Sequence, residues 1–205
     1  MRKMPNLCFY DMFMYPLERM GLRRLRRQIF KNIHGRVLEL GAGSGLNIPV
    51  YPSNANFEII ALEPSRDKTN CSHSRRKSLN PSPGKLTWIL GKGESLPFAD
   101  ASFDSVVATL VLCSVQSLKG TLNELKRVLK PGGQLRLLEH VRPPQERLAK
   151  LFDYLTPAWF AVAEGCHLNR ESGHAIEAAG FQIIEKRSYL AGIVQIFIAE
   201  VSSPN

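Results

Sequence analysis

Glu39-Leu40-Gly41-Ala42-Gly43-Ser44-Gly45 follows the apolar pair Val37-Leu38 and leads into a short segment compatible with a helix. Glycines at alternate positions let the backbone turn sharply and approach a ligand with no side chain in the way. A dinucleotide-binding turn needs G-x-G-x-x-G, whose third glycine would fall at Leu46 rather than Gly45. The residues alone leave two readings: a ligand-cradling turn of another spacing, or a plain tight turn between a strand and a helix.

Working outward, the flanking segments alternate in type. Leu17, Leu22, Leu25, Ile29 and Ile33 recur at helical spacing with arginines between them, so 17–33 reads as an amphipathic helix that stops at Gly35. Strands are expected at 36–40, 57–62, 86–90 and, buried on both faces, 104–112. The segment 65–80 falls where a helix belongs but is polar and weakly periodic, and Pro81-Ser82-Pro83-Gly84 reads as a loop. Leu118, Leu122, Leu125, Val128 and Leu129 form the apolar stripe of a helix, which Pro131-Gly132-Gly133 should stop before a strand at 134–141. Helices near 146–164 and 170–179 precede strands near 181–188 and 193–200. These last two are separated only by Leu190-Ala191-Gly192 and should pair as an antiparallel hairpin. This alternation predicts an α/β fold with a doubly wound, mostly parallel sheet, whose ligands bind beyond the carboxyl ends of the strands.

At 205 residues the chain suffices for one domain with a full core, and no apolar run is long enough to span a bilayer. Arg2 and Lys3 open the N-terminus, but Asp11, Pro16 and Glu18 interrupt any signal-peptide core, so a cytoplasmic location is expected. Cys8, Cys71, Cys113 and Cys166 are scattered, with no C-x-x-C pair to suggest a zinc ribbon or a redox motif. The net charge of +9 gathers at Arg19, Arg23, Arg24, Arg26, Arg27 and Lys31, and at Arg66, Lys68, Arg75, Arg76, Lys77 and Lys85. A solvated basic face is the simple reading. Contact of the 17–33 helix with anionic membrane is the alternative, and no RNA-binding motif accompanies the charge.

Further segments recur in order: Glu63, then Gly93-Glu94-Ser95-Leu96-Pro97-Phe98, Ser102-Phe103-Asp104, Glu124 to Gly133, and Ala179-Gly180-Phe181. With the glycine turn and its preceding acid, they resemble the class I S-adenosylmethionine-dependent methyltransferases, in the branch of the ubiquinone and menaquinone C-methyltransferases. Thr109 to Val115, Glu139-His140-Val141, Pro157-Ala158-Trp159 and Gly165 to Ser172 are similar to the methyltransferase-like alkyl thiol methyltransferases of animals. Those relatives act on small thiols and carry an N-terminal membrane anchor that this sequence does not show. The resemblance implies a Rossmann-like seven-stranded sheet and a single domain over 1–205, with a helical lid at 1–34 and the core at 35–205. It implies S-adenosylmethionine as cofactor, S-adenosylhomocysteine as product, and a small, apolar acceptor: a thiol, a quinone precursor or a lipid-like molecule. A cofactor-binding protein without turnover, acting through a partner, is an alternative. A nucleic-acid methyltransferase is disfavoured because Leu110-Val111-Leu112-Cys113 stands where an Asn/Asp-Pro-Pro-aromatic motif would.

By the same resemblance, Gly41, Gly43 and Gly45 would sit against the methionine part of the cofactor, and Glu39 would help hold its amino group. Glu63, kept extended by Pro64, would accept from the ribose hydroxyls. Gly93 and Glu94 would meet adenine, although Lys92 stands where relatives carry an acid and cannot accept from the amine. Thr109 and Leu110 would offer carbonyls to the cofactor amine, and Tyr10 and Tyr15 would belong to the lid. His140 is the first candidate for a general base, with Cys166 and His167 next. Phe152, Tyr154, Trp159 and Phe160 would wall the acceptor pocket or pack as ordinary helix residues. The spacing of Cys113, His140, Cys166 and His167 does not support a metal site.

Overall fold

The computed structural model describes residues 14–51, 57–77, 85–163 and 165–201. Seven strands form one sheet: β1 (Gly35–Leu40), β2 (Phe57–Glu63), β3 (Lys85–Leu90), β4 (Phe103–Thr109), β5 (Leu129–His140), β6 (Phe181–Tyr189) and β7 (Val194–Val201). Their order is β3-β2-β1-β4-β5-β7-β6. The first five run parallel, whereas β7 is antiparallel to both β5 and β6. The chain order reverses between β1 and β4, which places a crevice at their carboxyl ends.

Strand residues alternate between two cores. On one face Leu38, Leu40, Ile60, Leu62, Val106 and Leu137 pack against Leu122, Leu125 and Val128 of helix α3 (Leu118–Val128) and Ile176 of α5 (Ser172–Ala178). On the other, Val37, Ile59, Ala61, Val107 and Leu138 meet Ile29 of α1 (Arg23–Ile29), then Phe30 and Ile33. Burial on both faces explains the apolar stretches Val37-Leu38 in β1 and Val106-Val107-Ala108 in β4. The remaining helices are α2 (Arg66–Lys77) and α4 (Glu146–Val162). A π-helical turn, Glu18–Leu22, precedes α1, with Gly21 at φ 131°.

Boundaries differ from the sequence reading in three places, the first being the helix read over 17–33, which ends at Ile29, while Gly35, expected to stop it, opens β1. The fourth strand ends at Thr109, not residue 112, because Leu110 turns into the left-handed region at φ 57°. The Leu110 N–H still donates to the Leu138 carbonyl of β5 at 2.7 Å; after it the Glu139 carboxylate takes the N–H groups of Val111, Leu112 and Cys113. Thirdly, α3 ends at Val128, before Pro131-Gly132-Gly133. Those residues form a bulge inside β5: the register passes from Phe103↔Leu129 to Ser105↔Gln134, with Gly132 at φ 72°. Position 133 admits only glycine, since a Cβ there would lie 2.9 Å from the Lys130 carbonyl oxygen. The segment expected as a loop at 81–84 lies outside the described residues.

Candidate active site

The loops after β1, β2, β3 and β4 converge on a cavity of about 420 Å³ at the crevice. Gly41 to Ser44 line one side, Glu63, Pro64 and Lys68 the next, and Gly91 to Glu94 the third. Thr109 to Val111 and Cys113 to Gln116 line the fourth, with His140, Trp159, Ala163 and Cys166 beyond. Met14, Leu17 and Arg26 reach it from the N-terminal segment.

The glycine turn is fixed by backbone geometry. Gly41 and Gly43 have φ of 61° and 57°, a region that costs an L side chain energy. At Gly41 a Cβ would also meet Val111 Cγ2 at 2.5 Å, whereas at Gly43 it would point into open space. Gly45 does not line the cavity: its absent Cβ makes room for Ile48 Cδ1 and Ser72 Cβ, which would lie at 2.6 and 3.0 Å. The Gly43 N–H donates to Glu63 Oε2 at 2.9 Å, and the Ser65 N–H to Glu63 Oε1 at 3.0 Å. Glu63 is thus immobilised at the carboxyl end of β2, 4% exposed, with lone pairs left for a diol.

Glu39 stands one layer behind the cavity lining. It is fully buried; Oε1 accepts from Asn47 Nδ2 at 2.7 Å, and Oε2 has no partner. Burial pushes its carboxyl pKa up to about 8, against the pull of Asn47 and Arg26. Asn47 joins Glu39 to the cavity through Arg26, whose Nη1 donates to Asn47 Oδ1 at 2.9 Å and Thr109 Oγ1 at 2.7 Å. The Arg26 Nε donates to Glu18 Oε1 at 2.8 Å. This arginine, 2% exposed, does not belong to a solvated face as the basic run suggested; Arg23, Arg24 and Arg27 do. No local signal separates Arg26 from its neighbours except that it shares a helix face with Leu22 and Ile29.

Glu94 lines the cavity while its Oε1 accepts from the N–H groups of Gln116 and Ser117. Gly93 is packed so closely that a Cβ would lie 3.0 Å from Thr121 Cγ2 and 3.2 Å from Leu40 Cδ1. Leu110 lines the cavity in its left-handed conformation, a strain typical of ligand-facing positions. Tyr15 points away: it is 59% exposed and accepts from Arg19, while Met14 and Leu17 occupy the cavity edge. Tyr10 lies outside the described residues.

The donor set suits a sulfonium nucleoside with an amino-acid tail. Glu63 offers acceptors to a ribose, Arg26 a cation to a carboxylate, and Leu40 and Leu62 an apolar face to a purine. The left-handed Gly41 and Gly43 keep the loop free of side chains where such a ligand would lie.

At the far end the lining changes character. The His140 ring stacks on Phe152 with centroids 5.8 Å apart and planes 7° from parallel. Its Nδ1 is buried without a hydrogen-bond partner, and burial lowers the imidazole pKa to about 4. Cys113 is buried and Cys166 half-buried, and both thiols are free. Trp159 joins this wall, whereas Phe152 reaches it only through His140. Tyr154 is 82% exposed, and Phe160 is tilted over His167 at 4.9 Å. The Arg170 guanidinium braces the loop from behind, donating to the carbonyls of Leu112 and Val115. Sequence reasoning did not single out Arg26, Asn47, Glu139 or Arg170 as site builders; each acts through contacts between distant segments. Among the described residues, no group of three or more His, Cys, Asp or Glu is arranged to hold a metal, and no helix is long and apolar enough to cross a membrane.

Residues 38–137 match a family model described as a methyltransferase domain. The chain is 39% identical over 160 residues to thiol S-methyltransferase TMT1B of Rattus norvegicus, covering 73% of this chain and 61% of that protein. With the protein of the same name from Mus musculus, identity is 35% over 199 residues, covering 86% of this chain and 77% of the relative. A solved SAM-dependent methyltransferase from Thermotoga maritima shares the fold: TM-score 0.65 at 19% identity, covering 94% of this chain and 98% of that one.

Proposed function

The chain belongs to the class I S-adenosylmethionine-dependent methyltransferase family, and from that membership we propose that it methylates the sulfur of a small, apolar thiol. The observation that carries this reading is the far wall of the cavity. There a neutral imidazole with an unpartnered Nδ1 sits among Trp159, Cys113 and Cys166. A polarisable, weakly hydrogen-bonding wall suits a thiol better than a hydroxyl or a carboxylate, which would demand stronger partners. The relatives named as thiol S-methyltransferases support the same class.

When bound, S-adenosylmethionine supplies a methyl group already activated by its sulfonium. The residues of this chain have the task of placing and drying the acceptor. Glu63 and Gly43 fix the nucleoside end, and Arg26, held by Glu18, Asn47 and Thr109, receives the carboxylate end. Alignment of acceptor, methyl and sulfur in a water-poor pocket supplies up to roughly 7–11 kcal/mol of barrier lowering. The neutral His140 ring, lining the cavity beside Trp159, packs against the acceptor and orients its sulfur. Burial opposes formation of the imidazolium, so the thiolate comes from the acceptor's own ionisation, near pH 8.5 for a free thiol. The rate should therefore rise with pH toward the pKa of the acceptor, with no step near the ordinary histidine value.

The test is transfer of labelled methyl from S-adenosylmethionine to matched thiols, phenols and quinols of equal size. Labelled thioether and unlabelled phenol ether are the expected result. Transfer to phenols or quinols with none to thiols would overturn the reading, and no transfer to any acceptor, with cofactor still bound, would favour a non-catalytic binding protein.

A further inference from the structure

Cys113 and Cys166 come from distant parts of the chain yet line the same end of one cavity. The turn carrying Cys166 is tied to the loop carrying Cys113: the His167 N–H donates to the Cys113 carbonyl at 2.8 Å, and the Cys166 N–H to the Ala163 carbonyl at 3.0 Å. Both backbones are held, Cys113 by Glu139 as well. The 2.8 Å bond from the residue after Cys166 to the Cys113 carbonyl holds the two cysteines side by side at the cavity wall, and the Cys113 Sγ lies 3.6 Å from Ser114 Oγ. Cys166 is the reachable member, half-buried at the lining, and Cys113 is 1% exposed behind it.

We propose that Cys113 and Cys166 form a redox-active dithiol that reacts with small disulfides entering the cavity, Cys166 attacking and Cys113 resolving. An exposed attacking sulfur beside a buried partner is the arrangement such chemistry requires. The electrostatics agree in direction. The neighbouring Cys113 thiol lowers the pKa of Cys166, helped by Trp159 and the Arg170 guanidinium and opposed by burial and Glu139, while Cys113 is raised by Cys166, by burial and by Glu139. In the first step the Cys166 thiolate attacks one sulfur of R–S–S–R. The disulfide breaks, one thiolate leaves and takes a proton from water, and a Cys166–S–S–R bond forms. Cys113 then gives its proton to water and attacks the Cys166 sulfur, expelling the second thiolate. Overall the dithiol is oxidised to a Cys113–Cys166 disulfide and the small disulfide is reduced to two thiols. The inference does not depend on which acceptor is methylated, since it needs only the cavity and the two sulfurs.

The experiment treats the whole chain, without methyl donor, with hydroxyethyl disulfide, then maps its thiols by alkylation and mass spectrometry. The parent should lose two hydrogens and yield a Cys113–Cys166 cross-linked peptide that dithiothreitol reverses. Cys113→Ser should stop at a mixed disulfide on Cys166, and Cys166→Ser should leave Cys113 unmodified. A parent protein that carries a stable mixed disulfide on Cys166, or reacts only at Cys8 or Cys71, would overturn the proposal. A phenylarsine oxide titration of the unaltered parent gives a reading independent of the variants. One arsenic bridging Cys113 and Cys166 supports the pair, and none at those positions refutes it. Because no methyl transfer is read, failure here is distinct from failure of the thiol-acceptor reading.

Discussion

On the β1–β2 side of the cavity the shape is set by backbone. Left-handed glycines clear the loop, and the N–H groups of Gly43 and Ser65 hold Glu63. On the β4–β5 side it is set by side chains reaching across the sheet: Glu139 under the loop, Arg170 behind it, and His140 stacked on Phe152. The two fully buried carboxylates, Glu39 and Glu139, are held in different ways. Glu139 is saturated by backbone donors at Val111, Leu112 and Cys113, whereas Glu39 leaves Oε2 without a partner. A side built from backbone suits a ligand that never changes, while on the other side lining residues such as His140 and Trp159 can be retuned for different acceptors as long as Glu139 keeps the loop in place.

The largest effect expected from breaking this contrast is at Glu139. Glu139→Ala strands the buried N–H groups of Val111 to Cys113 and should cost about 3–5 kcal/mol in urea unfolding. Glu139→Gln, which keeps one oxygen, should recover part of that loss. Unchanged stability in both variants would mean that the loop does not depend on this strut.

Glu63→Ala should act on binding instead. Losing the charged acceptor should weaken S-adenosylhomocysteine by about 2 kcal/mol, or roughly 30-fold, in calorimetry. An affinity equal to the parent's would remove Glu63 from the cofactor site.

A paired glycine test sharpens the comparison further. Gly41→Ala forces a Cβ against Val111 and a left-handed alanine, at about 1–3 kcal/mol, and should lower cofactor affinity together with stability. Gly45→Ala clashes with Ile48 and Ser72 away from the lining, so its loss should appear in stability while affinity per folded molecule stays constant. Equal loss of affinity in both would blur the line between packing and ligand contact.

The remaining contrast is in pH dependence, measured without cofactor. Burial raises the folded pKa of Glu39 to about 8, above an unfolded value of about 4.3. The folded state therefore binds the extra proton, and stability falls as pH rises from about 4.3 through 8. Glu39→Gln should flatten that slope. His140 has the opposite sign: its folded value is about 4, below an unfolded value of about 6.5. The unfolded chain then takes the proton first, and stability falls as pH drops between those values. His140→Phe should remove that acid-side loss, and an unaltered acid limb would exclude a buried neutral ring.

Much of the fold was legible in the sequence because burial on both faces writes itself as apolar runs and glycine marks left-handed turns. The strands and the turn at Gly41 are of that kind. Where β4 ends was not legible, since Val111 and Leu112 continue an apolar run and only Glu139, from the neighbouring strand, diverts their backbone. Pro131-Gly132-Gly133 reads as a helix stop, yet a strand with a bulge satisfies the same residues. Arg26 illustrates the limit within the site, because composition counts it with its exposed neighbours and only its helix face sets it apart.

The sequence by itself determined the alternation of strands and helices, the glycine turn and the acid at the end of the second strand. These depend on backbone conformation and on burial, which neighbouring residues encode. Only the tertiary structure decided that Arg26 enters the cavity, that Glu139 carries the loop after β4, and that Cys113 and Cys166 line one wall of the cavity. Those contacts join segments brought together by crossovers of the sheet, and no local pattern records which side chains will face each other once the strands have paired.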